Sequence, residues 1–136
     1  MNILTTFTLI GFLTAVSSWA QVQHEAVARG KYIVESVSMC ELCHTRRGEN
    51  GLPDEADRLM GGPVQLKPTY PAPNWAIKAP RLAGGPPGTD ADFIRLMMTG
   101  IARTGKPPDP PMRQFHMTRE DAEAVLAYLK SLGAGK

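Results

Sequence analysis

The sequence has few cysteines, no block of charge of one sign and no run of alternating apolar and polar residues. Two cysteines in 136 residues are too few for a domain built on several disulfides. Fifteen basic and thirteen acidic side chains give a formal net charge of +2 without a basic stripe, so nothing indicates nucleic-acid binding. The absence of an alternating pattern or an internal repeat predicts one domain without an extended sheet.

The first twenty residues contain no charged side chain and are predicted to be a signal peptide. Residues 3–16 are mostly apolar, and the small residues Ser18 and Ala20 stand at the −3 and −1 positions of a cut after Ala20. An uncleaved anchor is the alternative, but the apolar stretch is shorter than the roughly 20 residues that a membrane span needs. We therefore predict a signal peptide over 1–20, one domain over 21–136, and no stable membrane span after cleavage.

Apolar periodicity predicts three helices, which run from Gln21 to about Met39, from Thr89 to Ala102 and from Thr118 to Leu132. Thr89 or its neighbour Asp90 is the expected N-cap of the second helix, and Thr118 caps the third. Between the first two helices, Thr45 to Gly88 has little periodicity and many prolines and glycines. This segment is predicted to be loop with short helical turns, and a loop of this length needs something bound to order it.

The sequence C-x-x-C-H runs from Cys40 to His44 and is the attachment signature of c-type haem. The thiols of Cys40 and Cys43, about one helical turn apart, can form thioethers with two vinyl groups on one porphyrin edge, and His44 then supplies a nitrogen ligand. A thiol–disulfide centre would need a strand–helix–strand context, and zinc would need further ligands at finger-like spacing. Because His24 and His116 are distant and isolated, the motif predicts one covalent haem c.

With these residues in place, the chain resembles the class I (His/Met) mono-haem cytochromes c over nearly all of 21–136. The attachment motif and the order of several short segments carry the resemblance: Gly30-Lys31-Tyr32, Ala79-Pro80-Arg81-Leu82-Ala83-Gly84, Thr99-Gly100-Ile101, Pro111-Met112, and a terminal helix with Tyr128-Leu129. The resemblance implies an all-α fold whose helices wrap around one covalently bound haem. Gly30 and Tyr128 are expected to meet where the first and last helices cross.

The sequence offers several candidates for a second axial ligand of the iron. The residues alone leave open four methionines and one histidine besides Met112: Met60, Met97, Met98, Met117 and His116. Met112 lies in a proline-rich segment just before the last helix, which is where the family places its sulfur ligand. The resemblance therefore implies that His44 and Met112 are the axial ligands.

Three further residues are implied to surround the haem. In the family, a proline carbonyl accepts a hydrogen bond from the second ring nitrogen of the ligand imidazole, and Pro80 matches that proline. Trp75 and Arg81 are candidates for hydrogen bonds to haem propionates, with a packing residue and a solvated charge as their alternatives. An insertion of about residues 48–75 separates His44 from Pro80 by more chain than the shortest family members have.

The resemblance implies a single-electron carrier and not an enzyme. Its expected partners are redox proteins (a dehydrogenase, reductase or oxidase), its expected location is the bacterial periplasm, and it is expected to be a monomer or a subunit of a redox complex. Two alternatives stay open. A peroxidase or gas-binding protein would need an open sixth iron site, and a subunit docked permanently on a larger enzyme could use the insertion as its docking surface.

Overall fold

The computed structural model describes residues 19–133, so residues 1–18 of the predicted signal peptide lie outside the described residues. The helical elements are α1 over residues 19–32, which continues as a π-helical turn Ile33–Val37, then α2 Glu41–His44, a 3₁₀ turn Glu55–Asp57, α3 Asp90–Thr99 and α4 Arg119–Ser131. The three predicted helices are confirmed as α1, α3 and α4. None of the helices in the described part of the chain is long and apolar enough to cross a membrane.

The two later helices begin at threonines: Thr118 is the predicted cap of α4, and Thr89 is one of the two candidates for α3. Thr89 Oγ1 accepts the N–H of Asp92 at 3.1 Å while Asp92 accepts the N–H of Thr89 at 3.3 Å, which makes a reciprocal capping box. Thr118 Oγ1 accepts the N–H of Asp121 at 3.2 Å. Gly100 ends α3 with φ 69°, in the left-handed region that glycine enters without steric cost.

The core lies where α1, α3 and α4 meet, and the irregular segment also contributes to it. Three of its members come from the segment 45–83, with Leu59 at 0%, Ala83 at 4% and Leu82 at 8% exposure. The buried core residues are Ile33, Val34, Leu59, Leu82, Ala83, Phe93, Met97, Ala122, Val125, Leu126, Tyr128 and Leu129. The loop is therefore part of the hydrophobic core and does not merely cover it.

The predicted loop contains a strand pair that the sequence pattern did not indicate. Strand β1 Gly62–Pro63 pairs antiparallel with β2 Lys78–Ala79, and Gly62 lies opposite Ala79. Two residues are too few to show an alternating pattern, so only their partners identify them as strands. This pair brings the two ends of the residue 64–77 loop together.

Helices α1 and α4 cross at Gly30, as the sequence predicts. Gly30 is buried, and a Cβ added there would collide with the carbonyl oxygen of Ala124, lie 2.5 Å from its carbonyl carbon and lie 2.8 Å from the Cβ of Tyr128. Tyr128 itself is only 5% exposed. The absence of a side chain at Gly30 thus sets how closely the two helices approach.

We expect Gly30→Ala to destabilise the protein by about 1–3 kcal/mol, the usual cost of forcing atoms into a packed interface. Alanine is the better helix former by about 1 kcal/mol, so the direction of the change separates packing from propensity. Denaturant unfolding of the holoprotein, followed by circular dichroism, measures the difference.

The matched control is Gly48→Ala, since a Cβ at Gly48 would have Asn50 Oδ1 at 3.3 Å as its nearest neighbour. This change should stay within about 0.5 kcal/mol of the wild type. Equal unfolding midpoints for the two variants would show that the contact at Gly30 does not limit the helix crossing.

Candidate functional site

The C-x-x-C-H motif forms a single turn of helix after a sharp change in chain direction. Met39 has φ 48°, and Cys40 is the N-cap of the short helix α2. The N–H of Cys43 donates to the carbonyl oxygen of Cys40 at 3.3 Å, and the N–H of His44 donates to the same oxygen at 2.9 Å. Residues three apart lie on one side of such a turn, so Cys40 and Cys43 are one above the other, next to His44.

Both cysteines are free, and each is partly buried. Burial raises the pKa of Cys40 to about 11 and also raises the pKa of Cys43, although the charge of Arg47 opposes the second shift. A thiol–disulfide centre needs the opposite, a lowered pKa that makes the thiolate available at neutral pH. The protein environment of these two thiols therefore does not favour that alternative.

His44 is buried, at 6% exposure, and its ring is held by one hydrogen bond. Nδ1 lies 2.8 Å from the carbonyl oxygen of Pro80. Because a carbonyl oxygen can only accept, Nδ1 carries the proton and the lone pair is on Nε2. Burial lowers the pKa of His44, with the Pro80 bond acting in the other direction, so the imidazole is neutral at pH 7. A neutral imidazole with one oriented N–H and a lone pair on Nε2 is suited to bind a metal.

A network of charged side chains, which sequence reasoning missed, ties the attachment turn to two helices. Arg58 donates from Nε to Glu41 at 3.0 Å, and its other end lies 3.0 Å from Glu35 in the π-helical turn. The hydroxyl of Tyr128 donates to the same Glu35 oxygen at 2.5 Å, and burial together with this bond raises the pKa of Tyr128 above its ordinary value. One guanidinium thus stands between two carboxylates. No spacing in the sequence indicates these ion pairs and hydrogen bonds.

The methionines that are candidate iron ligands lie in the core or pack against it. Four of them are half-buried and pack against the core cluster: Met60, Met98, Met112 and Met117. Met97 is buried at 4%, as expected for a core residue, and His116 is exposed. Sulfur atoms and apolar carbon at the core surface are suited to cover a large apolar group. The choice of Met112 among them stays a prediction.

Trp75 and Arg81 both donate to backbone carbonyls of the irregular segment. The single N–H of the Trp75 indole donates to the carbonyl oxygen of Leu66 at 2.8 Å. Arg81 donates from Nε to the carbonyl oxygen of Ala83 at 2.6 Å, and its side chain is otherwise exposed. Arg81 keeps donors beyond Nε, whereas Trp75 has none left. Their contact with propionates stays a prediction.

Two thiols one turn apart beside a buried neutral imidazole are the residues that hold a c-type haem. The chain matches the family model described as Cytochrome c over residues 27–133 of its 136. It therefore belongs to the cytochrome c family, a family of electron carriers with covalently bound haem c. The prediction that the chain is a c-type cytochrome is confirmed.

One relative is a diheme cytochrome c-type protein of Cereibacter sphaeroides. It is 30% identical over 109 residues, which cover 78% of this chain and 35% of the relative. The chain thus spans about a third of that relative's length. Two haems are a property of the relative, whereas the two cysteines of this chain form one attachment motif.

We expect the chain without haem to be largely unfolded, because residues 45–88 have too little apolar periodicity to order themselves. Thiol titration of a Cys43→Ser apo chain tests this, since Cys40 is then the only thiol of the chain. In the folded environment its pKa is about 11, whereas an unfolded chain should titrate near the ordinary value of about 8.5.

The same apo chain in concentrated denaturant supplies the unfolded reference for this titration. We expect the two titration curves to coincide and the helical circular dichroism to be weak. A titration near the folded value together with a cooperative unfolding transition would contradict the prediction.

Proposed function

We propose that this chain carries one haem c, bound by thioethers to Cys40 and Cys43, with His44 and Met112 as axial ligands. It passes single electrons between exported redox proteins, with the bacterial periplasm as its compartment. A bound haem supplies the one-electron couple of its iron. The observation that carries the proposal is the buried imidazole of His44, which directly follows the second cysteine and whose Nδ1 is held on Pro80.

The chain's own residues support this function by orienting the imidazole of His44 and by stiffening the segment that carries Met112. The Pro80 carbonyl fixes the tautomer of His44, so that the lone pair of Nε2 has one direction. Met112 would add a soft thioether, which favours ferrous iron and so raises the potential. Its segment is stiffened by Pro110 and Pro111, which lowers the entropy lost when a weak sulfur bond forms.

Covalent attachment is tested by acid–acetone extraction of the holoprotein. The haem should stay with the protein, because thioethers are not broken by denaturation. Met112→Ala should retain it equally, whereas a Cys40→Ala, Cys43→Ala double variant should release it. A wild-type protein from which the haem extracts freely would refute the proposal.

The axial sulfur is tested by the weak absorption band of a sulfur–iron bond near the red end of the visible spectrum. We expect Met112→Ala to abolish the band of the oxidised protein, to open the iron to carbon monoxide and to lower the reduction potential. Met112→His should keep a low-spin iron with a lower potential still, because imidazole favours ferric iron more than a thioether does.

The controls are the other half-buried methionines, and Met60→Ala, Met98→Ala and Met117→Ala should each leave the band in place. Loss of the band in Met60→Ala but not in Met112→Ala would move the ligand into the loop. If only His116→Ala opens the iron, the protein is a bis-histidine cytochrome. A wild-type protein that binds carbon monoxide readily would favour the peroxidase or gas-binding alternative.

A further inference from the structure

Residues 58–62 lie between two other segments of the chain: the one that follows the attachment motif and the one that contains Pro80. On one side, the N–H of Gly61 donates to the carbonyl oxygen of His44 at 2.8 Å, and Thr45 forms a parallel bridge with Gly61. On the other side, Gly62 pairs with Ala79 in the β1–β2 strand pair. Residues 58–62 are therefore hydrogen-bonded to both of these segments.

Leu59 makes the same double connection within the core. Its N–H donates to Thr45 Oγ1 at 3.0 Å, and its carbonyl oxygen accepts the amides of residues 82–83 at 2.8 and 3.0 Å. Leu59 has φ 56°, a conformation that leucine rarely adopts, and it is fully buried. These bonds hold the residue in a conformation that its own preference does not favour.

Gly61 touches the peptide group that accepts the His44 hydrogen bond. A Cβ added at Gly61 would lie 2.8 Å from the carbonyl carbon of Pro80, 2.8 Å from the nitrogen of Arg81 and 2.7 Å from the carbonyl oxygen of Ala79. All three are backbone atoms, so no flexible side chain could move aside. A side chain at Gly61 would therefore force the Pro80 peptide group out of its present position, and such a displacement weakens the 2.8 Å hydrogen bond that Pro80 accepts from His44.

We propose that residues 58–62, through Gly61 in particular, set the separation of His44 Nδ1 from the Pro80 carbonyl and thereby tune the reduction potential of the haem. The inference rests on the proposed role of His44 as iron ligand. A hydrogen bond from Nδ1–H to a carbonyl raises the basicity of the ligand imidazole. A more basic imidazole stabilises ferric iron, so lengthening this bond raises the potential. Gly61 is a positioning residue and does not itself touch the iron.

The test compares Gly61→Ala with Gly51→Ala in the holoprotein. The two glycines have nearly the same positive φ, 79° and 75°, but nothing lies within 4 Å of a Cβ at Gly51. Both variants bear the cost of alanine at positive φ, and only Gly61→Ala adds the collision with Pro80. We expect Gly61→Ala to raise the potential and to speed hydrogen exchange of the His44 ring N–H, measured by NMR of the reduced protein. Gly51→Ala should change neither.

Should Gly61→Ala fail to accumulate as holoprotein, Thr45 provides a second route to the same segment. Thr45 is 3% exposed, and its hydroxyl is the acceptor for the Leu59 N–H. Thr45→Val removes that acceptor while keeping the shape, whereas Thr45→Ser keeps the acceptor. We expect the potential to rise in Thr45→Val and to stay near the wild-type value in Thr45→Ser.

The outcomes separate this inference from the proposed function. If Gly61→Ala and Gly51→Ala share one potential and one exchange rate, or if Thr45→Val behaves like Thr45→Ser, the positioning role is refuted. The function then still stands, provided that the haem resists extraction and that the sulfur–iron band is intact. A wild-type protein without covalent haem would refute both.

Discussion

The hydrogen bond from His44 Nδ1 to the Pro80 carbonyl joins residues 36 positions apart, and much of the irregular half of the chain is arranged around it. The bond requires a long insertion to leave the attachment motif and return to within 2.8 Å of it. Loop closure alone would leave the ends mobile. Residues 58–62 remove that mobility by pairing with the segment after the attachment motif and with the segment that contains Pro80. Within them, Leu59 has an unfavourable positive φ, and Gly61 occupies a space that admits no side chain.

The helices fix the other side of the attachment turn. Gly30 lets α4 approach α1 closely, which brings the Tyr128 hydroxyl to Glu35. Arg58 forms ion pairs with Glu35 and with Glu41, the residue that follows the first cysteine of the motif. The network therefore spans α1, α2, α4 and the insertion. Because its charged side chains are only partly buried, its net contribution to the free energy of folding is modest, and what it adds is a defined position for the attachment turn.

Sequence reasoning succeeds here where structure is decided locally. The caps Thr89 and Thr118 and the apolar faces of α3 and α4 follow from neighbours within one or two turns, and the C-x-x-C-H spacing identifies Cys40, Cys43 and His44. The conformation of Leu59, the partners of Arg58 and the two-residue strands depend on contacts with distant residues, so no window of sequence contains them. Pro80 was reached only through family resemblance. Packing does not single out the axial methionine, since four methionines are half-buried and pack against the core.

The segment 48–77, which contains the insertion, divides into two parts that are connected differently to the rest of the protein. Its first part supplies Arg58, Leu59 and Gly61 to the site and the core. Its second part, residues 64–77, leaves and returns at one place, because Pro63 pairs with Lys78 and the N–H of Val64 donates to the carbonyl oxygen of Ile77 at 3.0 Å. With its ends held together, the length and sequence of this second part have little effect on the distance from His44 to Pro80. Such a loop can change its exposed side chains, including Ile77 at 84% exposure, without moving the histidine that the first part positions.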